Sequence, residues 1–300
     1  MKVKKQIRMM YLQRSGSHGT INWILSMHDS PRVFIQALSD SPDVPSSDDP
    51  IAFYQTDYYN IKKKRKGRKL NCQTDSRDGV LSEDSTILYS YECKPMDSSY
   101  PYGTRQNDAY SPFKTFSQME DLYNLRADES LNVLLIRNPY DMMASRHKDD
   151  VNKKRIKGWG CLVDTNNQWG KHYTTVWKQY AREFLGKTNF LEDRKVFIQF
   201  DKWHEDENYR RSLADKLGVE FNDKYKDIVP TDKYIAGSGS SFSPKRKQVD
   251  KKGVVNRWKY WQDNPNEWNI IRENYIDDDF IKLSNEIFGE VEGMRQLLYD

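Results

Sequence analysis

Two short stretches bring arginine and small residues together where the chain would turn. The first is MMYLQRSGSHGTINWIL (9–25). An apolar run stops there at a polar loop holding Arg14, Ser15, Gly16, Ser17, His18 and Gly19, and a run with helical spacing follows. Free N–H groups at a helix N-terminus attract phosphate or sulfate, small residues let the backbone approach the anion, and arginine adds a forked permanent charge. A Ser/Gly turn that only packs a strand against a helix would use the same glycines. The second stretch is LLIRNPYDMMASRHK (134–148). An apolar strand would deliver Arg137 to its C-terminal end, Asn138 and Pro139 would turn the chain, and Asp141 would cap the next helix. Ser145 would lie about one turn inside that helix, so that Arg137 and Ser145 could face one phosphate. C-terminal strand ends are where open α/β sheets bind ligands, although an isolated arginine more often serves a surface salt bridge.

A third stretch, AREFLGKT (181–188), fits a loosened phosphate-loop pattern with Ala181 in place of the first glycine. A working loop of that kind needs a strand before it and a helix after it. Trp177, Tyr180, Phe184 and Leu185 instead put an apolar face on a helix running into Gly186, which reads as a C-terminal glycine. The five histidines form no ligand pattern, and HEDE (204–207) lacks HExxH spacing, so no metal is expected.

The elements that would carry these loops are legible as four apolar runs: Ile7 to Leu12, then 85–94, 131–137 and 194–200. Helical patterns occupy about 19–27, 174–185 and 210–218. Such alternation predicts an α/β fold with a central parallel sheet flanked by helices. Trp159, Trp169, Tyr173 and Trp177 read as core at helical spacing. The 300 residues suit a single domain over 1–300 with loop insertions at about 40–80 and 95–128. With 37% hydrophobic residues and a mean hydropathy of −0.93, a core is available but long polar loops must surround it. SDSPDVPSSDDP (39–50) reads as irregular, and AGSGSSFSPKRKQVDKKG (236–253) as a polar, mobile segment. KKKRKGRK (62–69) is a solvated basic loop or a polyanion patch.

Partners and compartment are bounded more loosely. A net charge of +4, from 48 basic and 44 acidic residues, gives no reason to expect nucleic acid. No apolar segment has the length of a membrane span or a signal peptide. Cys72, Cys93 and Cys161 are an odd number without CxxC spacing, and no N-x-[ST] sequon occurs, which favours a reduced, cytoplasmic location.

Taken together, the two arginine loops resemble those of the PAPS-dependent sulfotransferases. The first strand of that family ends in P-[KR]-S-G-[ST]-x around the 5′-phosphosulfate, which LQRSGS (12–17) resembles. Its 3′-phosphate motif, R-[ND]-P-x-D-x-x-x-S, is similar to RNPYDMMAS (137–145) at every fixed position. Its closing motif, R-K-G-x-x-G-D-W-K, resembles KKGVVNRWK (251–259), with Lys251, Lys252, Gly253, Trp258 and Lys259 in register. SSF (240–242) resembles the Ser-Phe that lays a ring on the adenine.

The resemblance implies a three-layer, P-loop-like fold and a sulfotransferase that takes PAPS, releases adenosine 3′,5′-bisphosphate (PAP) and needs no metal. It implies that Arg14 neutralises charge on the leaving 5′-phosphate. Ser15 to Gly19 would hold that phosphate, and Arg137, Ser145, Lys251, Lys252 and Gly253 the 3′-phosphate. Phe242 and Phe200 would stand beside the adenine, because Gly19 replaces a tryptophan that follows the loop in the cytosolic branch. That branch takes its base from a histidine after the second strand; here ILYSYECKP offers Glu92, with His18 as runner-up. Asn256 and Arg257 replace the Gly-Asp of the closing motif. The acceptor would be a small molecule or an oligosaccharide, presenting a hydroxyl or amine. Two other readings stay open: a catalytically silent module binding PAP or a polyanion, and an ATP-dependent phosphotransferase built around 181–188.

Overall fold

The computed structural model describes residues 2–28, 32–36, 52–55, 59–62, 71–72, 83–97, 115–123, 126–155, 157, 161–166, 168–192, 194–224, 226, 242, 254–291 and 293–299. At 32–36, 52–55, 59–62, 71–72, 119 and 121–123 it describes the backbone alone. Trp159, Lys251, Lys252, Gly253, the stretch 39–50 and residues 63–69 of the basic run lie outside these residues.

Among the described residues, eight strands form one sheet. They are β1 (Lys2–Tyr11), β2 (Arg32–Gln36), β3 (Ala52–Gln55), β4 (Tyr59–Lys62), β5 (Asn71–Cys72), β6 (Thr86–Glu92), β7 (Arg126–Ile136) and β8 (Lys195–Gln199), in the order β5-β4-β3-β2-β6-β1-β7-β8. From β2 to β8 every pairing is parallel, and β3, β4 and β5 extend the β2 edge antiparallel. The four apolar runs are thus β1, β6, β7 and β8. β2 is a five-residue strand with no alternation of its own, placed by its parallel register with β6 (Val33 opposite Ile87).

Side chains of successive strand residues leave on opposite faces, so a sheet buried on both sides reads as a continuous apolar run. Met10, Tyr89, Tyr91, Leu134 and Ile136 enter one core. It is closed by α3 (Pro139–Asn152), α4 (Trp169–Phe184), α7 (Pro265–Tyr275), α8 (Asp278–Phe288) and α9 (Met294–Tyr299). Ile7, Met9, Leu88, Val133, Leu135, Val196 and Ile198 enter the other. It is closed by α1 (Ser17–Ser26), α5 (Phe200–Glu205) and α6 (Glu207–Leu217). The result is three layers, helix on sheet on helix. The short α2 (Phe116–Tyr123) leads into β7.

Trp169, Tyr173 and Trp177 are buried core residues of α4, as their spacing predicts. That helix starts five residues before the apolar period becomes legible at 174. Residues 181–188 are its end: Ala181–Phe184 are helical, Gly186 takes a left-handed φ of 70° just past the cap, and Lys187 pairs with Glu286. No strand precedes them, so this stretch has none of the geometry of a phosphate loop.

Candidate active site

β1 and β7 are neighbours whose onward connections leave in opposite directions, toward β2 and toward β8. A crevice opens at the C-terminal ends of such a strand pair. Both arginine loops lie there, one after β1 and one after β7.

The first loop is shaped by two left-handed residues on either side of Ser15: Arg14 at φ 70° and Gly16 at φ 87°. Glycine takes this conformation freely, and arginine holds it at a cost of about 1–3 kcal/mol. Gly16 is also fixed by space, because a Cβ there would lie 2.0 Å from the Phe200 ring. Gly16 caps α1 with no side-chain hydrogen bond, and no acidic residue occupies the first turn. The leading N–H groups of α1 thus have the polarity an anion seeks. By contrast, α6 and α8 are capped by Asp206 and Asp277.

The second loop differs from expectation in one detail. Asn138, not Asp141, caps α3, its side chain accepting from the N–H groups of Tyr140 at 3.0 Å and Asp141 at 3.4 Å. A cap accepts from N–H groups two or three positions ahead, which puts it before Pro139 rather than inside the first turn. Asp141 is thereby released to face Arg137, 3.9 Å away, and to accept from the Trp258 N–H at 2.8 Å.

Tertiary structure merges the loops into one site. Arg137 is 2% exposed and donates from Nη1 to the Arg14 carbonyl at 2.9 Å and from Nη2 to the Val254 carbonyl. Ser145 Oγ receives Arg14 Nε at 3.2 Å and Arg257 Nη1 at 3.0 Å. Two guanidinium groups therefore converge on one neutral hydroxyl, beside a third. Burial lowers the Arg14 pKa, and the nearby charges of Arg146 and Arg137 push the same way against the pull of Asp149. Among the described residues, Ser15 Oγ is buried without a partner and Arg137 Nε makes no hydrogen bond, with Asp201 Oδ1 4.0 Å off. Orphaned buried donors and crowded like charges are what an anion of high charge relieves.

Arg257 belongs to a short 3₁₀ segment (Arg257–Trp261) strapped along α3. Contacts that tie it there include Val254 to Arg137, Arg257 to Ser145, Trp258 to Asp141, the Tyr260 hydroxyl to His147 Nδ1 at 3.0 Å, and Trp261 Nε1 to the Tyr140 carbonyl at 3.3 Å. Asn256 holds φ 60°, a left-handed conformation asparagine tolerates better than most residues, so the position keeps a glycine-like turn without glycine. Phe242 stands under the Arg257 guanidinium, 5.0 Å from Cζ to ring centroid, and edge-on to Tyr260. Phe200 is 5% exposed and packs between Gly16 and Arg137, whose Cζ is 4.7 Å from its ring. Its ring is the wall of the anion loops. Trp203 fills the space over Gly19, at 3.7 Å from where a Cβ would be.

Both candidate bases are near Arg14. Burial raises the Glu92 pKa, opposed by a hydrogen bond from Gln13 and by the charges of Arg146 and Arg14. His18 is driven down to about 4 by burial and then by Arg14. Asp201 is raised to about 6 by burial against the pull of Arg137. Among the described residues, no three His, Cys, Asp or Glu side chains are grouped to hold a metal ion, and no helix is long and apolar enough to cross a membrane.

The structure brings Arg14, Ser15, Gly16, Ser17, His18, Arg137, Ser145 and Phe242 into this region, with Glu92 at the neighbouring strand end. It adds Gln13, Arg146 and Arg257, which no local pattern distinguishes from ordinary surface residues. Only the departure of Arg257 from the closing motif singles it out in sequence.

No protein-family model matches the chain, and no curated protein does. Solved structures with a similar course include a sulfotransferase domain from the olefin synthase of Synechococcus PCC 7002, at 11% identity and TM-score 0.44 over 97% of this chain and 96% of that one. The mouse sulfotransferase SULT7A1 complexed with PAP matches at 12% and 0.42, over 96% and 90%. A sulfotransferase domain of the curacin biosynthetic pathway matches at 12% and 0.43, over 97% and 100%. At such identities and scores, function is read from this chain's own residues.

Proposed function

We propose that this chain transfers a sulfuryl group from PAPS to a hydroxyl or amine of a small-molecule or oligosaccharide acceptor. The observation that carries the reading is the Ser145 hydroxyl shared by Arg14 and Arg257, with Arg137 bonded to the loop that holds Arg14. PAPS has a cluster of negative charge at each end of one adenosine. Two arginine sites fused at adjacent strand ends match that pattern, and a nucleotide lacking the 3′-phosphate would leave one of them empty.

In this reading Arg137, Ser145 and Arg257 hold the 3′-phosphate, and the N–H groups of Ser15 to Gly19 hold the 5′-phosphate. Arg14 neutralises charge on the oxygen that leaves sulfur. Glu92 takes the acceptor's proton; its raised pKa makes it a stronger base than a solvated carboxylate. The donor is a substrate, and no step needs a metal. Phe242, against Arg257, is the ring available to the adenine.

The test is thermal unfolding of the wild type and Ser145→Ala with PAP, AMP, ATP with Mg²⁺, and heparin. PAP at a hundred times its Kd adds about 2.7 kcal/mol, a shift of several degrees. AMP and ATP give less, and Ser145→Ala loses most of the PAP shift. Ser145 is the safer probe, because truncating Arg137 leaves Asp141 buried without its partner. Equal stabilisation by ATP with Mg²⁺ would refute the reading. So would stabilisation by heparin alone, which points to a silent polyanion-binding module.

A further inference from the structure

Gln13 sits between the anion loop and the end of β6, where the family pattern has proline. All its polar groups are engaged. The main-chain N–H donates to Cys93 Sγ at 3.3 Å, and the carbonyl accepts from the Tyr173 hydroxyl at 2.7 Å. The side-chain Nε2 donates to Glu92 Oε2 at 3.2 Å, and Oε1 accepts from Arg146 Nη1 at 2.6 Å. Arg146 is held in turn by Asp150, 3.5 Å from its Nε, and lies over the Trp169 ring.

Charge fixes which way this amide points. Its oxygen meets a guanidinium and its NH₂ a carboxylate; a flip would set donor against donor and acceptor against acceptor. Among the described residues, Oε1 of Glu92 accepts no hydrogen bond. We propose that Gln13 is a positioning residue: oriented by Arg146, it pins one oxygen of Glu92 and leaves the other to take the acceptor's proton. The inference rests on Glu92 being the base of the proposed reaction. There the acceptor oxygen forms a bond to sulfur and its proton passes to Glu92. The S–O bond to the 5′-phosphate breaks, and its electron pair leaves on the phosphate oxygen as PAP.

The groups around Glu92 give the sign of the effect. Arg146 and Arg14 favour the carboxylate, while the buried Tyr11, Cys93 and Tyr180 are themselves pushed upward and stay protonated. The Gln13 side-chain NH₂ donates to the charged form, so removing it raises the Glu92 pKa further. A base must be ionised to act, so the acidic limb of turnover then moves to higher pH.

Two readouts test this on the full chain. The first is ¹³C NMR titration of glutamate-labelled protein, with the Glu92 carboxyl assigned by Glu92→Gln. The second is the pH profile of PAP release from PAPS with water as acceptor. Gln13→Met keeps the volume and loses the donor, and Gln13→Asn keeps the amide but loses its reach. In both variants the Glu92 titration moves up, and PAP release on the acidic limb falls about tenfold, the worth of one charge-assisted bond. Recovery at higher pH and an unchanged KM for PAPS complete the expected result. An unmoved Glu92 titration in folded Gln13→Met overturns the proposal. So does a moved titration with an unmoved pH profile, which removes Glu92 as the base. Failure of PAP to stabilise the wild type overturns the proposed function instead, and the NMR titration still decides whether Gln13 governs Glu92.

Discussion

Arg257→Ala separates a binding residue from a structural one. In the protein alone, Arg257 and Arg14 donate to one oxygen at 3.0 and 3.2 Å, so the donating nitrogens lie within about 6 Å of each other. Two unit charges at that separation repel by about 3 kcal/mol at an effective dielectric of about 20. Truncation relieves that repulsion but forfeits the bond to Ser145, about 1.5 kcal/mol, and the contact with the Phe242 ring, about 0.5–1 kcal/mol. These nearly cancel, so the stability of the free protein changes by no more than about 1 kcal/mol. Binding of the 3′-phosphate has no such compensation. Loss of one charged donor costs about 1.5–3 kcal/mol, which is about 10- to 150-fold in Kd for PAP. AMP, without the 3′-phosphate, is affected far less. Titration calorimetry with PAP and AMP, beside urea unfolding of the free protein, reads both quantities. The reasoning fails if Arg257→Ala unfolds several kcal/mol more easily while its affinity for PAP is unchanged, for then Arg257 is a strut.

Two further outcomes follow from the same geometry. Asp201, raised to about 6 from an ordinary 3.8, favours folding while protonated, and that contribution is lost as pH rises from about 4 through 6. Asp201→Asn should therefore gain on the wild type across that window by up to about 3 kcal/mol and hold the gain above it; a difference in urea unfolding that is constant with pH refutes this. Gly16→Ala meets both a φ of 87° and the Phe200 ring, and should lose about 2 kcal/mol or more in urea unfolding. Adding Phe200→Leu should recover part of the loss, since it removes the clash but not the left-handed strain, and no recovery at all would sink the account.

The sequence by itself determined what consecutive residues can encode. Largely apolar runs in β1, β6, β7 and β8 demanded a sheet covered on both faces, and Arg14–Gly19 and Arg137–Ser145 wrote their turns in residues only a few places apart. Gly186 marked the end of α4, because a helix stop is a local event. β2 was not legible, since its five residues become a strand through pairing with β6. Asp141 was misread as a cap because its role is to accept from Trp258, 117 positions away. The same limit hid the centre of the site. Arg257 reaches Ser145 across 112 positions, Gln13 reaches Glu92 across 79 and Arg146 across 133. Pairings at such separations leave no local pattern, because they are made by the sheet order that sets the ends of β1, β6 and β7 side by side. The sequence supplied two anion loops; only the tertiary structure joined them on one serine and set a glutamine between the loop and the base.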